Sequence, residues 1–191
     1  MLRHWRERRR LTQLDLSIRA DVSARHLSFV ETGRSRPTSA MILHLAEQLE
    51  VPLRERNTLL LAGGYAPAFP QYELHSPPLA AVNAAIEAVL AAHEPMPALV
   101  VDRHWDLVSS NAAVGRLTAG AAAQLLEPPV NVLRLSLHPG GMAPRIINLG
   151  QWRAHLLSRL WHQIDATDDA VLRSLHAELS AYPGGDDRRA D

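Results

Sequence analysis

The sequence predicts a mainly α fold in two parts: a five-helix N-terminal domain, then a smaller α+β domain carrying one short β-hairpin. Three observations predict it. Apolar residues recur at helical spacing from Leu2 to Ala62, interrupted only by short polar turns. Gly63-Gly64 and the proline-bearing stretch Pro67–Pro78 then break the pattern. Beyond them helical segments resume, except for two short apolar runs separated by a polar turn.

The first helix is expected over Leu2–Arg10. Thr12 caps a second, Gln13–Ala20, Asp21-Val22 makes a tight turn, and Ser23 caps a third, Ala24 to about Thr32. Gly33 reads as a helix C-cap, and Pro37 bars any helix before the Thr38/Ser39 cap of a fourth, which runs to about Leu49. A fifth follows Pro52 over Leu53–Leu61. This domain is expected to span residues 1–64, followed by a linker (65–78), a second domain (79–183) and a flexible tail (184–191). The second domain opens with a helix, Leu79–Ala92. A hairpin then pairs Ala98–Val101 with Trp105–Ser109 across Asp102-Arg103-His104. Helical stretches follow near Asn111–Thr118, Asn131–Leu137, Leu149–Ile164 and Asp168–Ala181.

An apolar content of 47% over 191 residues suits a folded chain and argues against bulk disorder. The absence of cysteine excludes disulfides, thiol catalysis and Cys-based zinc sites, and agrees with a reducing cytoplasm. Met1–Arg10 is too Arg-rich for a signal peptide, and Leu79–Ala92 is too short to span a bilayer. A soluble, cytoplasmic protein without a membrane partner is expected. Net charge is zero but unevenly placed. Residues 1–62 carry eleven Arg against seven acids, +4; residues 63–191 carry nine against thirteen, −4. A basic part joined to an acidic one is the pattern of a nucleic-acid-binding module with a separate second domain. The ten histidines include no HExxH string and no pair four apart, and there is no phosphate-binding Gly loop or GxSxG elbow. No metal, no cofactor and no enzymatic activity are therefore expected.

The N-terminal helices meet the demand of a helix-turn-helix, which buries one side of both helices and leaves one side of the second bare. Leu11, Leu16, Ala20, Val22, Leu27 and Val30 point inward, and Asp21 stands where the turn needs a left-handed backbone. The left-over face of the third helix carries Ala24, Arg25, Ser28, Phe29 and Thr32, with His26 at its flank.

The string Leu11-Thr-Gln-Leu-Asp-Leu16, with Asp21-Val-Ser23, Leu27, Glu31-Thr-Gly33, Arg36-Pro37 and Leu45-Ala46, resembles the lambda-repressor-like, Xre-type regulators. Downstream stand Arg54-Glu-Arg-Asn57, Leu61-Ala-Gly-Gly-Tyr-Ala-Pro67, Val100-Val-Asp-Arg-His-Trp105, Asn111, Asn131-Val-Leu-Arg-Leu135, His138-Pro139 and Trp152-Arg153. These resemble the methylenomycin-regulator (MmyB-like) branch. The resemblance implies a lambda-repressor-like DNA-binding domain followed by a PAS-like ligand-binding domain. Asp21 stands where the family commonly has Gly, and Ser17 where it commonly has Ala. Members of the branch continue past the position of Tyr182-Pro183 with further strands, so the ligand domain is expected to be C-terminally shortened.

By that resemblance, Gln13 at the start of the second helix meets a phosphate, and Ser23, Ala24, Arg25, His26, Ser28 and Phe29 face DNA. Arg25 is placed for a bidentate contact to guanine and Phe29 for a thymine methyl or the sugar edge. Arg34 and Arg36 suit phosphates, while Arg8–Arg10 are read as cations favoured by the dipole of the first helix. Arg6 and Glu31 match an Arg–Glu pair joining the first and third helices. In the second domain Trp105, Asn111, Trp152, His155 and Arg159 are candidates to line or gate a pocket, and His162 flanks the same stripe. Trp152, Leu156, Leu160 and Ile164 follow helical spacing, a pattern that is more often plain core. The expectation is a homodimeric, ligand-responsive regulator on a palindromic double-stranded DNA site, its effector an elongated apolar molecule such as a fatty acid. The alternatives are an antitoxin-like or adaptor module whose acidic part docks a protein, or a shortened regulator that senses nothing.

Overall fold

A computed structural model describes residues 1–72, 74 and 76–184. The chain divides into two compact units, Met1–Gln71 and Tyr72–Asp191. The tail expected over 184–191 lies, from residue 185 on, outside the described residues.

The first unit contains α1 (Leu2–Arg8), α2 (Gln13–Arg19), α3 (Ala24–Glu31), α4 (Ser39–Gln48) and α5 (Leu53–Ala62). α1 stops two residues before its expected end, and Arg10 takes a left-handed φ of 55°. Thr12 and Asp15 form a reciprocal capping box on α2, and Ser23 and Thr38 accept backbone N–H bonds at the starts of α3 and α4. Asp21 adopts φ 49° in the α2–α3 turn, as expected from its residue type, and Gly33 leaves α3 with φ 74°. Trp5, Leu16, Leu27, Ile42, Leu45, Leu49 and Leu60 fill the core, and truncating any of the leucines to alanine costs about 2–5 kcal/mol. Leu11 and Val22 are only half-buried against it.

The segment read as a linker begins inside this unit. Tyr65 Oη donates to the Pro37 carbonyl at 3.0 Å. The buried Asn57 amide donates to the Phe69 carbonyl at 2.7 Å and accepts the N–H groups of Ala68 and Phe69, each at 3.0 Å. Proline spacing alone does not reveal that a side chain eleven residues upstream organises the loop.

The second unit begins with a 3-10 turn over Pro77–Leu79 that runs into α6 (Ala80–Ala92). Strands β1 (Leu99–Val101) and β2 (Leu107–Ser110) pair antiparallel, with a bulge at Val100/Val101. β2 starts two residues later than expected. The Asp102 carboxylate accepts the N–H groups of His104 and Asp106 at 2.8 and 2.9 Å, so the turn extends through Trp105, which takes φ 70°. Helices α7 (Ala112–Leu117), α8 (Val132–Leu137), α9 (Leu149–Thr167) and α10 (Ala170–Ser180) follow. Leu133, Leu137, Leu156, Leu160, Ile164, Leu172, Leu175 and Leu179 make the core among α8, α9 and α10. Asp168 ends α9 with φ 59°, and Asp169 caps α10 while its other oxygen meets His104 Nε2 at 2.8 Å. Among the described residues no helix is long and apolar enough to cross a membrane.

Candidate nucleic-acid interface and apolar groove

The inward side of α3 is closed by Leu27 and Val30, leaving Ala24, Arg25 and Thr32 exposed and His26, Ser28 and Phe29 half-buried. Ser23 ties off the helix start by accepting the His26 N–H at 3.1 Å. Arg25 lies over the ring of Phe29, its Cζ 5.5 Å from the centroid, one helical turn away.

Behind this face Arg6 grips Glu31. Nε and Nη2 donate to the two carboxylate oxygens at 2.6 and 2.8 Å, and Nη1 donates to the Leu11 carbonyl. Burial works to raise the Glu31 pKa, but the hydrogen bonds from Arg6 and Gln13 outweigh it and hold the carboxyl below its usual range. Gln13 opens α2 as expected, yet its side-chain amide is turned inward and donates to Glu31 at 2.8 Å.

The basic residues around the turns divide into two kinds. Arg34 is exposed, with its backbone N–H fixed to the Phe29 carbonyl at 2.8 Å. Arg36 is held by the unit itself: Nε and Nη2 donate to the Gly63 carbonyl at 3.3 and 3.2 Å, and its Cζ stands 5.5 Å from the Tyr65 ring. Arg9 donates to the carbonyls of Leu49 and Glu50, so it caps the end of α4 in addition to any interaction with the dipole of its own helix.

In the second unit the five sequence-selected residues fall into three places. Arg159 lies over the Trp105 ring at 5.0 Å, and Trp105 Nε1 donates to Gln163. Trp152 stacks on His155 with centroids 5.9 Å apart and donates to Ser136. Spacings of three and four residues put Trp152, His155, Arg159 and Gln163 along one side of α9. Trp152 and His162 are exposed, so neither belongs to the core. Asn111 stands apart. It is buried, its amide donates to the Leu90 and Met96 carbonyls, and its oxygen accepts the Ala98 N–H. That set of bonds ties the end of α6 to the hairpin and leaves no amide donor for a ligand.

A groove of about 580 Å³ opens elsewhere, between α6 and β1. Its walls are Val82, Ile86, Val89, Leu90, Pro97 and Leu99 with neighbouring alanines, and His93 stands among them. None of the five sequence-selected residues lines it. The signal was present in the composition of α6, AAVNAAIEAVLAA, where only Asn83 and Glu87 are polar and Leu90 alone is buried. A short helix that is apolar all round implies a further apolar neighbour.

Two family models match the chain. One, described as the MmyB-like transcription regulator ligand binding domain, covers residues 82–190; the other, a helix-turn-helix domain, covers residues 1–59. No curated protein matches the sequence. The matched families are DNA-binding and ligand-binding domains, not enzymes.

Proposed function

The chain belongs to the MmyB-like transcription regulators, DNA-binding proteins with a separate ligand-binding domain, and from that premise we propose that it acts in the cytoplasm as a homodimer on a palindromic site. The observation that carries the reading is the outer side of α3, where Arg25 stands exposed on a helix whose opposite side is closed by Leu27 and Val30. Two copies of α3 enter successive major grooves about 34 Å apart. Arg25, Phe29 and Ser28 meet base edges, while Ser23, Ala24, His26 and Arg34 lie where the backbone passes. Gln13 and Arg36 are secondary in this arrangement, because both side chains already serve partners within the domain. The effector is an elongated apolar molecule such as a fatty acid, its tail in the α6–β1 groove and its head near His93. Mainly apolar walls with one polar group suit such a ligand.

Selection of bound duplexes from a random pool, with sedimentation of the complex, tests the DNA reading. Enriched sites are expected to show two-fold symmetry with half-sites about 10 base pairs apart and two chains per duplex. A single asymmetric half-site bound by one chain overturns the dimer.

A further inference from the structure

We infer that Arg25 and Phe29 form one reading unit for a guanine with a thymine in the adjacent base pair. The inference rests on the proposed placement of α3 in the major groove and goes further by assigning a two-base preference to a single side-chain pair.

The pair is already assembled without DNA, with Arg25 Cζ 5.5 Å from the Phe29 centroid on the outer side of α3. Among the described residues the Arg25 guanidinium has no hydrogen bond and no ion pair, in contrast to those of Arg6 and Arg36. Its donors are free for a ligand, and the ring restricts where they point. A side chain held over an aromatic ring loses less conformational freedom on binding than one that waves in solvent.

The separation of guanidinium and ring extends the contact to a second base. A guanidinium that donates to O6 and N7 of guanine lies near the plane of that base. Successive base pairs are separated by about 3.4 Å along the helix axis. A ring centred 5.5 Å from the guanidinium is more than one such step away, so it reaches the edge of the neighbouring pair and not the guanine itself. Thymine alone presents a methyl group on the major-groove edge, whereas the other bases present hydrogen-bonding groups there without one. Covering a polar edge with a phenyl ring strips its water without replacing a hydrogen bond, so the ring favours thymine and disfavours the rest.

The test uses the full chain and the duplex obtained by selection. The thymine next to the conserved guanine is replaced by uracil, which deletes only the methyl. In a second duplex the T·A pair becomes C·G, with cytosine or with 5-methylcytosine. Fluorescence anisotropy is expected to show uracil weakening binding about four-fold, the effect of one buried methyl group. The 5-methylcytosine duplex is expected to bind more tightly than its cytosine counterpart by a similar factor. In Phe29→Ala, checked for helix content by circular dichroism, both methyl effects are expected to vanish while guanine is still preferred. In Arg25→Ala the guanine preference is lost. Equal affinity of the unaltered chain for thymine and uracil overturns the pair, and so does a methyl effect that survives in Phe29→Ala. The comparison in the unaltered chain stands even if the variant does not fold. A selection that enriches no motif at all overturns the groove placement of α3 itself, which is a different failure.

Discussion

Arg6 and Glu31 form a two-pronged ion pair between α1 and α3, 2.6 and 2.8 Å long, with the Arg6 side chain 9% exposed and that of Glu31 1%. The pair fixes α3 to α1 without involving Arg25, so its part in recognition is to hold the helix in place. Removing one partner strands the other charge in a dry site. Glu31→Ala is expected to cost about 3–5 kcal/mol. Ser28→Ala, on the outer face, is expected to stay within about 0.5 kcal/mol of the unaltered chain. Equal melting temperatures for the two variants dissolve the pair. The pH dependence has a definite sign. Glu31 titrates below its unfolded value, so its contribution is present above that value and is lost as pH falls through the folded one. Acid unfolding followed by circular dichroism is expected to be steeper for the unaltered chain than for Glu31→Gln.

Arg34 and Arg36 looked alike in sequence but separate in structure. Arg34→Ala is expected to leave the melting temperature alone and flatten the log–log dependence of DNA affinity on salt by about one unit. Arg36→Ala is expected to lower the melting temperature, because Gly63 and Tyr65 lose their partner, with less change in slope. If Arg36→Ala alone flattens the slope, its guanidinium leaves Gly63 when DNA binds.

What was legible in the sequence follows from local physics. The caps at Thr12, Ser23 and Thr38, the left-handed Asp21 and the helical spacing of Leu16, Leu27 and Leu45 are local signals that need no tertiary information, and each element they marked is present. The outer face of α3 was legible for the same reason. Side-chain partners distant in sequence were not. Arg36 reaching Gly63, Asn111 bonding to Leu90 and Met96, and Asn57 organising Phe69 each join residues 12 or more apart. Trp105, Trp152, His155 and Arg159 stand out in the sequence by type, whereas the α6–β1 groove is built mainly from alanine, valine, leucine and isoleucine, which carry no chemical signature of their own.

Asn111 is a buried bracket, and its removal has a calculable direction. Asn111→Ala leaves the Leu90 and Met96 carbonyls and the Ala98 N–H without this partner, a loss of about 1–3 kcal/mol for a buried unsatisfied group. Hydrogen exchange is expected to rise first in the hairpin strands. Unchanged protection there with an unchanged melting temperature refutes the bracket.

Arg134 Nε and Nη2 donate three hydrogen bonds to the Glu178 carboxylate, and Tyr182 Oη donates to the same group. Burial, then the bond to Glu178, pushes the Tyr182 phenol up to about 12. The folded chain thus keeps a proton that the unfolded chain releases near pH 10. Stability from this group is complete below pH 10 and falls as pH rises toward about 12. Tyr182→Phe is expected to remove that component of alkaline destabilisation. A melting-temperature profile identical in both chains between pH 9 and 11 contradicts it.

The two candidate ligand surfaces make opposite predictions about two exposed residues. Val89 is 58% exposed in the wall of the α6–β1 groove, and Arg159 lies exposed over Trp105 on α9. Neither side chain belongs to the core, so replacing either is expected to leave the fold intact. Displacement of a fluorescent apolar dye from the full chain by dodecanoic acid reads out occupancy of whichever surface is used. Val89→Glu places a carboxylate, costly to strip of water, among apolar walls and beside an anionic ligand, and is expected to abolish displacement. Arg159→Ala is expected to change nothing in the dye assay and to alter only the tryptophan emission of Trp105. The reverse result moves the ligand to the Trp105–Arg159 face, where the guanidinium would meet the carboxylate. No displacement in any form refutes a fatty-acid effector. Where displacement occurs, DNA affinity is expected to shift with dodecanoic acid only as far as the acid binds the free and DNA-bound forms unequally, and bound DNA must shift acid affinity by the same factor. Measuring both shifts on one preparation is therefore an internal check: unequal factors mean that the acid acts somewhere other than through a single linked equilibrium.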